Sequence, residues 1–245
     1  MENDIVSDFQ LSVLNSQDAE AIFGDTTDDI IAAADKNGLL EKLPIIKYFV
    51  AANKFVEDFR NRRFLKKIYR FLYQTHKYNK QKIKAFFEEF SNASIENGYE
   101  LMLEVLERLD NIHKVDVMTN LLKAKLDDQI TIDDFIRLIA SLRIVPYVDL
   151  KRLPDYIKSI GTRYDTYMLY AAGLLYNSAI GSDGVGVNNS NHYQLNDNGL
   201  LFVKYGLKQD VSSYVKSNEQ LIVVADDEVP EQMHGEYPNI KDMLK

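Results

Sequence analysis

The chain has 245 residues, is 46% hydrophobic and contains no cysteine. It is therefore long enough to bury a sizeable core, and disulfides, thiolate metal sites and cysteine nucleophiles are excluded. The formal net charge is −8, yet residues 47–84 carry twelve Lys and Arg against two acids. A basic block between acidic ends is typical of a polyanion-binding face, or of an electrostatic contact within or between subunits.

The N-terminal half is predicted to be helical. Residues 1–38 are acidic, and we expect them to be loosely ordered. Residues 39–128 are predicted to form a basic helical bundle. The apolar residues of this bundle up to about residue 74 mostly recur at the spacing that places them on one helical stripe, and Phe59 is one of them. Pro44 suits the first turn of a helix, where a missing N–H costs nothing.

Two further helices of the bundle are marked by their apolar periodicity. The segment NKQKIKAFFEEFSN predicts a helix at about 79–92. The segment that begins NGYELMLEVLERLD predicts another over about 97–127, and we expect this helix to be broken near Asn111. The chain up to this point is therefore predicted to be an α-helical bundle.

The C-terminal half begins with a capping signal. Thr131 and Asp134 form a capping-box-like start for a helix that should end before Pro146. Two shorter helices should follow, the second closed by Gly173. The segments LLYNSAI and HYQL predict two strands joined by a glycine- and asparagine-rich turn, and Asn196 should cap the last helix.

These last elements resemble the end of a winged-helix domain of the type found in bacterial transcription regulators. In that family a Gly-Leu-hydrophobic turn ends the recognition helix, the wing returns as Tyr-x-Leu, and Thr-x-x-Gly opens the next helix. The matching residues here are Gly173-Leu174-Leu175, Tyr193-Gln194-Leu195 and Asn196 through Gly199, with Asn in place of the capping Thr.

The resemblance covers about residues 131–207 and implies a fold class. We expect a mainly α protein with an N-terminal helical bundle and a C-terminal winged helix, at 129–207, that has a small antiparallel β-hairpin. Residues 208–245 are then an acidic tail.

The helix that would read DNA departs from the family pattern. The resemblance implies Arg, Lys, Asn, Gln or Ser facing the major groove, but the segment TRYDTYMLYAA carries three tyrosines. Tyrosine suits an interface because it buries a large ring and keeps its hydroxyl wet. The predicted interface residues are Tyr164, Tyr167 and Tyr170. The nearby cations, which a homodimer would double, are Lys151, Arg152, Lys158 and Arg163.

The segment RNRRFLKKIYR interleaves cations with aromatic residues. This alternation suits a nucleic-acid backbone with stacked bases, an anionic bilayer surface, or a solvated helix face whose aromatics lie in the core. The four-residue spacing of Phe64, Ile68 and Leu72 favours core for the apolar side chains. The predicted nucleic-acid or anion contacts are Arg60, Arg62, Arg63, Lys66, Lys67 and Arg70, together with Lys151, Arg152, Lys158 and Arg163 near the winged helix.

The N-terminal half has a second resemblance. The segments LPIIKYFVAANKF and RFLKKIYRFLYQ are similar to small helical proteins found with bacterial mobile elements and phage-defence islands. This resemblance implies no activity.

Catalytic and metal-binding signatures are missing from the sequence. The four histidines stand at least 37 residues apart, so no local pair of zinc ligands exists. The glycines of GSDGVG join two strands without a lysine, unlike a phosphate loop. We expect neither enzymatic activity nor a metal or other cofactor.

The sequence therefore predicts a non-enzymatic, cytoplasmic regulatory or adaptor protein of bacteria that binds nucleic acid or a partner protein, in phage defence or on a mobile element. The alternative is a membrane-surface effector that lays the amphipathic basic helix 43–72 on an anionic bilayer. No apolar run of about 18 residues lacks a charge, so we expect no transmembrane helix.

Overall fold

The computed structural model describes residues 2–17, 43–51, 59–157, 166–177 and 193–212. These residues contain ten α-helices and a two-stranded antiparallel sheet, so the protein is mainly helical, as predicted. The α-helices are α1 (Glu2–Asn15), α2 (Pro44–Ala51), α3 (Phe59–Thr75), α4 (Lys80–Ser94), α5 (Gly98–Arg108), α6 (His113–Leu126), α7 (Ile132–Ile144), α8 (Tyr147–Leu150), α9 (Thr166–Ala171) and α10 (Asp197–Leu201). The other elements are a 3₁₀-helix (Leu153–Ile157), strands β1 (Leu175–Asn177) and β2 (Tyr193–Leu195), and a π-helical turn (Phe202–Gly206).

α1 corrects the expectation that residues 1–38 are loosely ordered. Its Phe9 is fully buried, and the ring lies 5.9 Å from that of Phe71 on α3 and edge-on to Tyr99 on α5. The acidic composition of this segment gave no indication of a helix, because the aromatic rings that stabilise it belong to distant parts of the chain. Residues 18–38 lie outside the described part.

α2 begins at Pro44, as predicted. The N–H of Ile45 donates a hydrogen bond of 3.0 Å to the buried hydroxyl of Ser12 on α1. This bond satisfies one of the backbone donors that a helix start leaves without an intrahelical partner. The apolar residues of this segment whose side chains the structure describes are buried inside the protein: Leu43, Ile45, Ile46 and Phe49.

α3 carries the central part of the basic block. Ile68 and Leu72 are fully buried, as their spacing predicts. Phe64 is half-buried and packs edge-on against Phe49, with ring centroids 5.7 Å apart. Phe59 departs from the predicted apolar stripe, because 66% of its surface is exposed.

The predicted helices of the central bundle are confirmed. The side chain of Asn79 accepts hydrogen bonds at the start of α4. The break expected near Asn111 separates α5, which ends at Arg108, from α6, which begins at His113. α4, α5 and α7 share a core of aromatic rings that pack edge-on or stacked: Phe86, Phe87, Phe90, Tyr99 and Phe135.

The capping signals of the C-terminal half are also confirmed. Thr131 and Asp134 form a reciprocal capping box at the start of α7. Gly173 follows α9 with a φ of 71°, a conformation that glycine adopts without steric cost. The side chain of Asn196 accepts a hydrogen bond of 2.9 Å from the N–H of Gly199 in α10.

The two strands form the expected antiparallel pair. Leu175 lies opposite Leu195, and Asn177 lies opposite Tyr193. A side chain at Gly199 would collide with the carbonyl oxygen of Leu174. Glycine therefore allows α10 to approach the start of β1 closely.

The C-terminal elements pack on the helical bundle. The side chain of Asn120 on α6 donates a hydrogen bond of 2.9 Å to the carbonyl oxygen of Gly206. A Cβ at Gly206 would lie only 3.1 Å from Val117. The chain up to Asp210 belongs to one compact unit. Whether 129–207 also folds by itself stays a prediction.

None of the helices in the described part is both long and apolar enough to cross a membrane. Several predicted features lie outside the described residues. They are the tip of the hairpin, the tail beyond residue 212, and the site residues Lys158, Arg163 and Tyr164.

Candidate anion-binding face

Lys67 of α3 is a buried cation with a structural role. Only 6% of its surface is exposed. Its ammonium donates hydrogen bonds to the carbonyl oxygens of Glu107, at 2.6 Å, and Leu109, at 2.9 Å. These carbonyls lie at the C-terminal end of α5, where backbone acceptors lack intrahelical partners. Burial, together with the charge of Arg63, lowers the pKa of Lys67 to about 8.

Arg70 is also engaged within the fold. Its guanidinium donates two hydrogen bonds of 2.5 Å to the carboxylate of Asp116 on α6. Gln74 donates to the same carboxylate, and the hydroxyl of Thr119 donates to Gln74. This network links α3 to α6, so Arg70 is committed to holding two helices together.

The cations in the first turns of α3 lie nearer to solvent. Arg60 forms an exposed ion pair with Glu107. Arg63 is exposed and donates a hydrogen bond of 2.8 Å to the carbonyl oxygen of Asp110, which occupies only part of a guanidinium with five N–H donors. Arg62 is exposed, and within the described residues its side chain forms neither an ion pair nor a hydrogen bond.

Two clefts flank Arg63 and Lys67. The first has a volume of about 280 Å³. The second has a volume of about 310 Å³ and is lined by Phe59 and also by the acidic residues Glu107 and Asp110. The first cleft is lined by α3, by the link between α5 and α6, and by the start of α6. Its lining side chains are Arg63, Lys66, Lys67, Asn111, Ile112 and His113. This cleft therefore gathers cationic side chains at the N-terminal end of a helix, which carries a positive partial charge.

Asn111 shapes the start of α6 in this cleft. Its side-chain oxygen accepts a hydrogen bond of 2.9 Å from the N–H of His113, and its carbonyl oxygen accepts one of 3.1 Å from the N–H of Lys114. These backbone donors are therefore already used. An anion in the cleft would be bound by side chains and by the helix dipole.

Aromatic stacking extends the first cleft toward α8. The ring of His113 stacks on that of Tyr147, with centroids 5.5 Å apart and planes at 22°. The ammonium of Lys151 lies over the same Tyr147 ring, 5.8 Å from its centroid. Two regions that are far apart in sequence thereby meet. We call the basic side chains along this path the basic face: Arg62, Arg63, Lys66, His113 and Lys151.

Two acidic residues border this path, and both are compensated from within. Asp116, part of the network that links α3 to α6, lies 3.6 Å from Nδ1 of His113. The carboxylate of Asp110 lies 2.5 Å from the ammonium of Lys114, which is 1% exposed. It also accepts a hydrogen bond of 3.3 Å from the N–H of Tyr147. Partial burial opposes the ionisation of Asp110, but Lys114 and the backbone donors outweigh it, so the pKa of Asp110 lies below its usual value.

The predicted interface tyrosines lie on another element. Tyr167 of α9 has 72% of its surface exposed, and Tyr170 is also exposed. The ring of Tyr170 lies 5.3 Å from that of Tyr193 on β2. We call Tyr167, Tyr170 and Tyr193 the tyrosine surface. Arg152, a further predicted contact, is exposed just beyond α8.

Sequence reasoning missed part of the basic face. His113 and Tyr147 were not predicted as site residues, and neither was Phe59, whose ring lies 5.6 Å from the Arg63 guanidinium. The only local signal was the break near Asn111, since a helix start beside a cationic helix is a natural anion site.

Comparisons of this chain with protein-family models, with curated proteins and with solved structures find no match. In the parts of the chain that the structure describes, no group of three or more His, Asp or Glu side chains is arranged to hold a metal ion. The functional argument therefore depends on the geometry of the basic face.

Proposed function

We propose that this chain is a non-enzymatic protein that binds nucleic acid through phosphate contacts at the basic face. The observation that carries the proposal is the first cleft. Arg63, Lys66 and His113 converge there at the positive end of α6. Exposed Arg62 lies one turn before Lys66 on α3, the spacing that places two side chains on the same side of a helix.

The number of cations sets the strength of the binding. Arg60, Lys67 and Arg70 are engaged with α5, α6 or the link between them. The basic face, as defined above, carries four permanent cations together with His113. Each phosphate that is neutralised contributes about −0.7 to −0.9 to the slope of log affinity against log salt. We therefore expect weak binding with a slope of about −3.

The winged-helix assignment belongs to this proposal. Its support is the order of the elements from α7 to α10, together with the capping of α10 by Asn196 and the close approach at Gly199. We propose a bacterial regulatory or adaptor role, located in the cytoplasm, on the two sequence resemblances described above. Phage defence or a mobile element is the proposed setting.

A protein partner is the second candidate, and the tyrosine surface favours it. Exposed tyrosines are common at protein interfaces because the ring contributes contact area while the hydroxyl remains hydrated. The membrane alternative is disfavoured. The apolar side chains of α2 that the structure describes are buried within the protein and not available to insert into a bilayer: Ile45, Ile46 and Phe49.

A charge-removal experiment tests nucleic-acid binding. The variant is Arg62→Gln with Arg63→Gln. Its matched control is Lys84→Gln with Arg137→Gln, two exposed cations that line neither cleft. Fluorescence anisotropy with labelled single-stranded and duplex DNA, from 20 to 200 mM salt, gives the affinity and the salt slope.

We expect the test variant to bind at least about fivefold more weakly and to reduce the size of the salt slope by about 2. The control removes the same charge and should change both quantities much less. Absence of binding by the wild-type protein at the lowest salt, or equal losses in the two variants, would contradict the proposal. In the first case a protein partner at the tyrosine surface becomes the working function.

A further inference from the structure

The basic face has aromatic rings along its length. Phe59 lines the second cleft and lies beside Arg63, while His113 lines the first cleft. Tyr147 stacks on His113 and has Lys151 over its ring. Aromatic and cationic side chains are therefore interspersed along this path: Phe59, Arg63, Lys66, His113, Tyr147 and Lys151.

Resting on the proposed function, we infer that the ligand of the basic face is single-stranded nucleic acid. Its phosphates contact Arg63 and Lys66, and its bases stack on Phe59 and on the pair formed by His113 and Tyr147. Proteins that bind single strands without sequence preference combine a positive groove with aromatic platforms. Both parts are present here on adjoining elements.

The exposure of the rings supports stacking. Phe59 is the first residue of α3, where a polar side chain would satisfy the helix equally well, yet a phenylalanine is exposed there. His113 has 53% of its side chain exposed, and Tyr147 is half-buried. By contrast, Phe64 and Tyr69, the aromatics within the basic sequence itself, are partly or fully withdrawn into the core.

A duplex suits this face less well than a single strand. In a duplex the bases are stacked on each other, so aromatic rings at the protein surface cannot reach their flat faces. Recognition of a duplex then depends on phosphate contacts, and six or more are typical of a tight complex. The basic face offers four permanent cations. A single strand adds the stacking energy that these few charges lack.

An abasic strand separates stacking from charge. The probes are a twelve-residue oligothymidine and a strand of the same length whose sugars carry no bases, so that the phosphate charge is equal. Base–aromatic stacking contributes about 1–3 kcal/mol per base. We therefore expect the wild-type protein to bind oligothymidine at least about tenfold more tightly than the abasic strand.

The test variant is Phe59→Leu with Tyr147→Leu. Leucine keeps apolar volume at both positions, and the contact of Tyr147 with Asp110 uses the backbone N–H, which the variant retains. The control is Tyr167→Leu, which removes an exposed ring from the tyrosine surface. Circular dichroism shows that each variant is folded before its affinity is measured.

We expect the double variant to reduce the preference for oligothymidine to about twofold or less and to leave abasic binding unchanged. The control should behave like the wild-type protein. Equal binding of the two strands by the wild-type protein would overturn the inference while nucleic-acid binding stands. A loss of preference in Tyr167→Leu alone would overturn it in favour of stacking at the tyrosine surface. If neither strand nor duplex binds, the proposed function fails as well.

Discussion

The first turns and the middle of α3 use the same residue types for opposite purposes. In its first turns, Arg62 and Arg63 are exposed beside a cleft. One turn further on, Lys67 is buried against the end of α5, and Arg70 binds Asp116 on α6. The first pair is available to a ligand, and the second pair holds the helices together.

The cause of this difference lies outside α3. Lys67 is drawn inward because α5 ends beside it and exposes the carbonyl oxygens of Glu107 and Leu109. Arg70 binds Asp116 because α6, the helix that carries Asp116, begins only a few residues after α5 ends. A positive charge in a sequence is therefore not yet a binding site. Its role depends on which acceptors the neighbouring elements place within reach.

The largest expected effect concerns Lys114 of α6, a cation that is buried more deeply than Lys67. Its ammonium binds Asp110 and donates a hydrogen bond of 2.7 Å to the carbonyl oxygen of Leu142 on α7. Lys114→Ala should lower the free energy of unfolding by about 3 kcal/mol, because a buried carbonyl and a partly buried carboxylate lose their partner and a cavity remains.

The matched control for this variant is Lys123→Ala on the same helix. Lys123 is exposed and pairs only with Asp127, one turn away, and such pairs contribute about 0.5 kcal/mol or less. Urea denaturation followed by circular dichroism measures both variants. Equal stabilities would show that Lys114 contributes no more than a surface lysine.

Much of the fold was readable from the sequence where the stabilising contact is local. Thr131 with Asp134 and Asn196 with Gly199 each join residues three positions apart, so their spacing alone predicts a helix start. α1 was missed because Phe9 is held by rings of α3 and α5. The charge pattern gave no sign of those contacts.

The candidate site was predictable only in part for the same reason. Arg62, Arg63 and Lys66 were recognised from the density of charge. Whether a cation of α3 is exposed like these or engaged like Lys67 and Arg70 depends on partners forty or more residues away. His113 and Tyr147 join the face through a stacking contact between different helices, and no local pattern in the sequence predicts such a contact.

The next effect is a pH dependence that arises from Lys67. Burial lowers its pKa in the folded protein to about 8, whereas an unfolded lysine has a pKa of about 10.4. Between these values the unfolded chain binds more protons than the folded one, so the stability of the protein rises with pH. Once the pH exceeds both pKa values, the free energy of unfolding gained in this way amounts to about 3 kcal/mol at most.

We expect the free energy of unfolding to rise between pH 7.5 and pH 9.0. The upper limit lies about one unit below the pKa of about 10 at which tyrosines of the unfolded chain ionise. This limit matters because burial raises the pKa of Tyr99 to about 12, so tyrosine ionisation destabilises the fold at higher pH. Lys67→Met removes the titrating group and should flatten this rise. Lys66→Met on the neighbouring position is the control and should keep it. An unchanged slope in Lys67→Met would assign the rise to another group.

The smallest expected effect on stability belongs to Arg62, and it completes the contrast along α3. Arg62→Gln should change the free energy of unfolding by less than about 0.5 kcal/mol, the usual range for an exposed side chain. The same variant should reduce the size of the salt slope of nucleic-acid binding by about 1, because one phosphate contact is lost.

Arg70→Gln should show the reverse pattern. It removes two hydrogen bonds to Asp116 and should lower the free energy of unfolding by about 1–2 kcal/mol. The salt slope of the folded protein should be unchanged. Thermal unfolding and anisotropy on both variants distinguish the ligand-binding role of the first turns from the structural role of the middle of the helix. If Arg62→Gln proved as destabilising as Arg70→Gln, the first turns of α3 would belong to the scaffold, and the cations available to a ligand would be reduced to those around His113 and Lys151.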